Sequence, residues 1–221
     1  TTRVYDEAAA AMDRCLRLEY GNPSSLHRMG IAAESTVRQA RRTLADALGA
    51  REGEIVFTGS GTEADNAALF GAAYAKRRRG DKILVSAVEH PAVLAACQRL
   101  AKDGFRVVEV PVDRKGRIDQ DAFAAAVDAS TILVSVMAVN NELGTIQPLE
   151  ELIPIVRKRS DALFHTDAVQ AFGKISLDPG RLGLDLVSVS AHKIHGPKGI
   201  GALYIRSGVT IEPLLYGGGQ E

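Results

Sequence analysis

The chain alternates between short continuous apolar runs and longer amphipathic segments. Apolar runs of strand length predict β-strands at residues 54–58, 82–87, 106–112, 131–137, 162–167, 185–191 and 201–206. Segments with helical spacing of apolar residues predict helices at 5–19, 29–48, 63–79, 91–102, 119–128 and 149–159. Because the strands are unbroken apolar runs, they suit a sheet that is covered on both faces.

The order of these elements predicts the fold class. Strands that alternate with helices favour an α/β fold with a mostly parallel, about seven-stranded sheet and helices on both faces. The last two predicted strands are joined by a glycine-rich loop without a helix, so we expect one of them to run antiparallel.

Composition narrows the class of protein. The 221 residues fit one domain, and 46% of them are hydrophobic, which is enough for a sizeable core. Lys plus Arg equals Asp plus Glu at 27 each, so net charge gives no support for binding to nucleic acid or membranes. The start shows no signal-peptide pattern, and Cys15 and Cys97 form no C-x-x-C pair, so we expect a reducing cytoplasm.

Polar or glycine-rich segments follow five of the predicted strands, and they read "GSGTEADN", "VEHPAV", "AVNNELG", "TDAVQ" and "HKIHGPKG". Ligands of open α/β sheets bind beyond the carboxyl ends of the strands. We therefore expect these five segments to meet at one edge of the sheet and to form a ligand site there.

The segment "GSGTEADN" at 59–66 is a glycine-rich turn that opens a helix. Free backbone N–H groups and the helix dipole favour an anion at such a position, and Thr62 adds a hydroxyl. The alternative is an ordinary capping box formed by Thr62 with Asp65 three residues later.

Four further side chains are candidates for chemistry. Asp167 ends an apolar strand, where a carboxylate needs a cation or several donors, although it could instead cap a helix. We expect Gln170, three residues later, to lie on the same side. His90 precedes Pro91 and could stack on a flat ring, or it could be an ordinary loop histidine. Lys193 ends a buried strand, where desolvation would favour a nucleophilic amine, whereas Lys198 in the glycine loop suits solvent.

The combination of these groups points to one cofactor. A phosphate cradle, a carboxylate, a stacking imidazole and a lysine are what pyridoxal 5′-phosphate (PLP) requires. His165 shares a face of its strand with Asp167 and receives no role. The pair His192 and His195 lacks a third ligand pattern, so we predict no metal site.

The sequence resembles the large domain of a class V, fold type I aminotransferase, and within that family a cysteine desulfurase. The resemblance runs through essentially the whole chain. It is carried by the motifs "GNPSSLHRMG", "EIVFTGSGTEADN", "AVEHPAV", "VNNELGTIQP", "HTDAVQAFGK", "SAHKIHGPKGIGALYIR" and "GGGQE". It implies an enzyme that transfers sulfur from L-cysteine, leaving L-alanine, and that supplies sulfur for iron–sulfur clusters and tRNA thiolation.

The resemblance implies a role for each matching residue. Lys193 would bond to PLP and carry the substrate α-proton, His90 would stack on the ring and carry protons, and Asp167 would pair with the ring nitrogen. The remaining implied contacts are Gly61, Thr62, Ser190 and His192 to the phosphate, Gln170 to the phenolic oxygen, and Asn141 near that oxygen and the substrate carboxylate.

The chain also departs from the family pattern. Only Thr1 and Thr2 remain of the family's opening motif, and the family's sulfur-accepting cysteine and small C-terminal domain are missing. We therefore expect residues 1–221 to be a PLP-binding large domain truncated at both ends, inactive alone, from an enzyme that is a homodimer and has sulfur-acceptor or scaffold partners. The alternatives are a class V transaminase, a selenocysteine or cystine lyase, and a non-catalytic scaffold module.

Overall fold

The computed structural model describes residues 1–217, so the "GGGQE" motif lies outside the described residues except for Gly217. The strands are β1 (Ile55–Thr58), β2 (Lys82–Ser86), β3 (Arg106–Val110), β4 (Thr131–Ser135), β5 (Leu163–Asp167), β6 (Leu186–Ser190) and β7 (Gly201–Ile205). The α-helices are α1 (Asp6–Arg17), α2 (Arg28–Leu48), α3 (Gly61–Lys76), α4 (Pro91–Lys102), α5 (Gln120–Ala126), α6 (Leu149–Arg159) and α7 (Pro179–Leu182). Short 3₁₀ turns occupy Glu52–Glu54 and Ala191–Lys193.

The strands form one sheet in the order β1-β7-β6-β5-β4-β2-β3. Strands β2 to β6 pair in parallel, and β7 runs antiparallel to both of its neighbours, β1 and β6. The predicted fold class and the antiparallel last strand are therefore confirmed. Successive parallel strands need crossover connections, and helices supply them, so their carboxyl ends all meet at one edge.

Both faces of the sheet are covered. Alternate residues of β5 show the division, because Leu163 packs into the cluster that contains α3 and α4 whereas Phe164 packs into the cluster on the opposite face. The α3 face uses small residues, such as Ala68 and Ala72, that bring the helix close to the strands. This close approach fixes where the first turn of α3 meets the edge of the sheet.

The structure corrects several predicted boundaries. The helix predicted at 63–79 begins at Gly61, because the Ser60 hydroxyl accepts a hydrogen bond of 3.1 Å from the Glu63 N–H. The alternative of a capping box formed by Thr62 with Asp65 is therefore wrong. The four-residue helix α7 was not predicted, since it is too short to show a period. Among residues 1–217, no helix is both long and apolar enough to cross a bilayer.

Candidate functional site

A pocket of about 260 Å³ opens at the carboxyl edge of the sheet, beyond β4, β5 and β6. All nine predicted cofactor-binding residues line it: Gly61, Thr62, His90, Asn141, Asp167, Gln170, Ser190, His192 and Lys193. Ser60, Asp65, Met137 and Val169 complete the lining, and sequence reasoning missed these four. The predicted meeting of the strand-end segments is thus observed, whereas the roles of the individual residues stay predictions.

One wall of the pocket is the amino end of α3. Gly61 is the first residue of the helix, and a Cβ placed there would lie 2.9 Å from Val169 Cγ2 and 3.2 Å from Ser190 Cβ. Glycine is therefore required for the helix to start against the end of β6. The first N–H groups of a helix have no partner within it, so this wall offers donors and a favourable dipole to an anion.

The floor of the pocket contains Asp167, the last residue of β5. Its side chain is buried, and one carboxylate oxygen accepts a hydrogen bond of 2.9 Å from the Val169 N–H. Burial raises the pKa of Asp167, while the Val169 N–H and the nearby His90 and Lys193 act to lower it. No α-helix starts at Asp167, so the predicted alternative of a helix cap is wrong, and the carboxylate is free to pair with a cationic group of a ligand.

His90 both caps helix α4 and lines the pocket. It is the N-cap of α4, Pro91 occupies the first turn, and Nδ1 accepts a hydrogen bond of 3.1 Å from the Ala92 N–H. This bond leaves Nε2 to carry the ring proton when the imidazole is neutral. The ring is thereby fixed in orientation while it faces the pocket, as a stacking group needs to be.

Lys193 ends the 3₁₀ turn that follows β6, and its side chain is half-buried. Its neighbours are tied to the start of the chain. The Thr2 hydroxyl accepts a hydrogen bond of 2.7 Å from the His195 N–H, and the Tyr5 ring stacks on His195 at 4.3 Å between centroids. His195 also has a positive φ of 65°, which is uncommon for a residue other than glycine. These contacts hold the turn that presents Lys193, while Lys198 is exposed as predicted.

Two further polar residues, Gln170 and Asn141, line the pocket. Gln170 Oε1 accepts a hydrogen bond of 3.0 Å from Lys174 Nζ, which leaves its amide NH₂ group as a donor. The two adjacent asparagines have different surroundings. Asn140 is buried, and its side-chain amide donates a hydrogen bond of 2.8 Å to the Val88 carbonyl, whereas Asn141 is exposed and faces the pocket. The loop is therefore held by Asn140, and Asn141 is available to a ligand.

The chemistry of this donor set fits PLP. The α3 amino end can hold a phosphate, the Asp167 carboxylate can pair with a protonated ring nitrogen, and the Lys193 amine can react with an aldehyde. In addition, Asp65 Oδ1 is buried beside the pocket and has no hydrogen-bond partner within residues 1–217. Fold and pocket together define the class of PLP-dependent transferases.

Comparison with known proteins defines the family. The profile of the class-V aminotransferases matches residues 1–221, and the chain belongs to that family. Two curated relatives named cysteine desulfurase IscS are each 48% identical over all 221 residues, one from Dictyoglomus turgidum and one from Methanosarcina thermophila. The match covers 56% and 54% of these relatives, so the chain spans about half of their length.

Solved structures give the same assignment. A structure titled as a NifS-like protein superposes with a TM-score of 0.97 at 46% identity, over 100% of this chain and 60% of that one. A structure titled SspA in complex with cysteine superposes with a TM-score of 0.95 at 37% identity, over 100% of this chain and 64% of that one. Class V aminotransferases and cysteine desulfurases are PLP-dependent.

Proposed function

We propose that this chain is the PLP-binding large domain of a cysteine desulfurase, which converts L-cysteine to L-alanine and passes the sulfur to an enzyme cysteine. The observation that carries the proposal is the convergence of Lys193, Asp167, His90 and the amino end of α3 on one pocket. The relatives named cysteine desulfurase at 48% identity favour this chemistry over that of other class V enzymes.

Each wall of the pocket would hold one part of PLP. Gly61, Thr62, Ser190 and His192 would bind the phosphate, because the α3 amino end supplies backbone donors and its positive dipole end. Burial and the adjacent Lys193 lower the pKa of His192, and a bound phosphate would act in the opposite direction. Asp167 would bind the ring nitrogen from the pocket floor. Gln170 and Asn141 would lie beside the phenolic oxygen.

Lys193 and His90 would move protons during the reaction. Bound PLP supplies an electron sink that stabilises a carbanion at the substrate α-carbon. The Lys193 amine, on the flexible stem of a lysine, would take the α-proton and return it. His90, held by its bond to the Ala92 N–H, would keep one face of the ring covered and exchange a proton through Nε2.

The two cysteines within this chain do not fit the role of sulfur acceptor. Cys97 is 2% exposed, and burial, with Glu89 and Glu109 nearby, raises the pKa of its thiol to about 12. Cys15 lies on α1, outside the pocket lining. Because the thiolate is the nucleophilic form, we assign the persulfide to a cysteine elsewhere in the whole protein.

The substrate and partners of the whole protein follow from the same proposal. L-cysteine is the proposed substrate, and the similar SspA structure is titled as a complex with cysteine. We assign the sulfur to acceptor or scaffold proteins of iron–sulfur cluster assembly, in the cytoplasm. The assignments of the substrate and of the sulfur acceptors rest on the proposed desulfurase chemistry.

A homodimer is the proposed assembly. Helix α1 has no buried residue, and the apolar side chains around it and on the 20–31 segment are exposed, with Leu16 at 70% and Leu26 at 95%. Apolar surface of this extent is typical of an interface. Sedimentation equilibrium of the purified protein would report a dimer, and Leu26→Glu would shift it toward monomer; a monomer at all concentrations would contradict the assembly.

The experiment that tests the function is a comparison of PLP and pyridoxal, which lacks the phosphate. Absorbance titration should give saturable binding of PLP and at least about tenfold weaker binding of pyridoxal, since the phosphate contacts are charge-assisted. Lys193→Ala should abolish the absorbance change, while the matched variant Lys198→Ala should retain it. Equal behaviour of both lysine variants, or no preference for PLP, would contradict the proposal.

A further inference from the structure

A polar layer lies beneath the pocket, between the sheet and α3. On the α3 face of β5, His165 precedes Asp167 by two residues, so both side chains point toward the helix. His165 is fully buried, with Nδ1 2.8 Å from the Ser135 hydroxyl on β4 and Nε2 3.0 Å from the Ser188 hydroxyl on β6. Three adjacent strands thus place one hydrogen-bonded row directly under the pocket floor.

Asp65 covers this layer from the helix side. It lies one turn after Gly61 on the buried face of α3, and it is 1% exposed. Its Oδ1 is 3.6 Å from His165 Nε2, beyond hydrogen-bond distance, and has no hydrogen-bond partner within residues 1–217. The Ser188 hydroxyl interacts with the same carboxyl group and acts to lower its pKa. Asp65 therefore joins the polar layer without a cation against it.

Several titratable groups surround Asp65, and two of them, Glu89 and Asp167, are also carboxyl groups. The titratable groups that face this region are Asp65 from α3, Glu89 and His90 from the segment before α4, His165 and Asp167 from β5, and Lys193 after β6. Glu89 is also buried, with one oxygen 2.6 Å from the Met137 N–H and the other without a partner in the described chain.

The protonation states follow from burial. Burial is the largest effect on Asp65 and Glu89 and raises the pKa of both, and the charge of Asp167 raises both further. The Ser188 hydroxyl acts to lower the pKa of Asp65, and the Met137 N–H acts to lower that of Glu89, but the net direction is upward for each. Burial lowers the pKa of His165 to about 3, so its ring is neutral and cannot pair with an ionised Asp65. Buried carboxylates that repel one another favour the neutral form of some of them, and a buried carboxyl that keeps its proton becomes a hydrogen-bond donor.

We propose that Asp65 is a positioning residue that stays a neutral carboxylic acid beneath the pocket and leaves Asp167 as the carboxylate that meets the ring nitrogen of PLP. The part that concerns PLP rests on the proposed function. As an acid, Asp65 can donate its O–H toward the Ser188 hydroxyl, which itself lies 3.0 Å from His165 Nε2, and it adds no second negative charge beside Asp167. Sequence alone hides this role, because Asp65 stands in the apolar stripe of α3.

The test is the pH dependence of thermal stability in Asp65→Asn, which keeps the shape and a donor but cannot ionise. A pKa raised in the folded state means that the wild-type protein loses stability as the pH rises above about 4, where the unfolded chain ionises. The Asp65→Asn variant does not lose stability in this way, because its side chain cannot ionise. Its melting temperature should exceed that of the wild type by at least about 2–4 °C at pH 7, with the difference vanishing near pH 4.

The surface variant Asp121→Asn is the matched control, since Asp121 is exposed on α5, and it should show no such pH-dependent difference. A lower melting temperature of Asp65→Asn at pH 7 would mean that Asp65 is ionised and paired, and it would overturn the proposal. Equal melting temperatures would overturn it as well. Infrared spectra give a second readout: a protonated-carboxyl band present at pH 7 should weaken in Asp65→Asn, and an unchanged band would also contradict the proposal.

PLP titration separates the positioning role from the proposed function. Asp65→Asn should bind PLP within about threefold of the wild type, whereas Asp65→Leu, which lacks the donor, should bind roughly tenfold more weakly. Equal PLP affinity of the Asn and Leu variants would refute the positioning role. If the wild type bound no PLP, the proposed function would fail, while the melting comparison would still report the protonation of Asp65.

Discussion

The pairing of Asp167 with the ring nitrogen is open to a double-mutant cycle. The perturbation on the protein is Asp167→Asn, which keeps an oxygen for the Val169 N–H at 2.9 Å but removes the negative charge. The perturbation on the ligand is the 1-deaza analogue of PLP, in which a carbon replaces the ring nitrogen. The cycle isolates the single contact between the carboxylate and that nitrogen.

The magnitude follows from the burial of the site. Asp167 is 5% exposed, so water competes little for its charge, and a hydrogen bond to a charged group contributes about 1.5–3 kcal/mol. We therefore expect Asp167→Asn to weaken PLP binding by roughly 10- to 150-fold. Binding of the deaza analogue should change by less than about threefold, because it has no ring-nitrogen proton to lose.

The assay is equilibrium titration of both ligands into both proteins, followed by absorbance. Asp121→Asn serves as the control, because it removes a carboxylate that is exposed on α5. Equal weakening of PLP and of the deaza analogue by Asp167→Asn would show that Asp167 acts on the pocket as a whole. That result would refute its assignment to the ring nitrogen.

Four other predictions concern stability, thiol reactivity and turnover. Burial acts to raise the pKa of Glu54, but hydrogen bonds from the N–H groups of Arg51 and Ser207 lower it to about 2. Urea unfolding should therefore show Glu54→Gln to be less stable than the wild type at pH 7 and equally stable near pH 2. Asp185 is fully buried and bonds two arginines, so Asp185→Asn should lower the free energy of unfolding by about 1.5–3 kcal/mol in the same assay. Iodoacetamide should leave Cys97 unmodified until the chain unfolds, and modification of Cys97 in the folded protein would contradict the account. The 221-residue chain mixed with PLP and L-cysteine should form no more alanine than free PLP does, and alanine formed with repeated turnover would contradict this prediction.

The strand-end segments could be predicted from sequence because one topological rule places them. Parallel strands with crossover helices bring their carboxyl ends to one edge, so the order of elements was sufficient to gather Asp167, Ser190 and Lys193. The apolar runs identified the strands to within one or two residues. What a pocket residue contacts depends on packing, and there the sequence was ambiguous.

The start of α3 illustrates that ambiguity. Ser60 precedes Glu63 by three residues and Thr62 precedes Asp65 by three, so local capping chemistry favours neither pair. The choice is made by tertiary packing, because Gly61 must lie against Ser190. Asp65 was missed as a pocket residue for a related reason: a hydrophobic pattern treats every carboxylate as a surface group, although positions 61, 64, 65 and 68 all share the buried face.

The central claim is that Lys193 is the residue that bonds to PLP. The most direct measurement is to incubate the protein with PLP, reduce it with borohydride, digest it and locate the added pyridoxyl mass by mass spectrometry. The account predicts the mass on the peptide that contains Lys193, with Lys198 unmodified and no stable adduct in Lys193→Ala. A pyridoxyl group on Lys198 or another lysine, with none on Lys193, would contradict it.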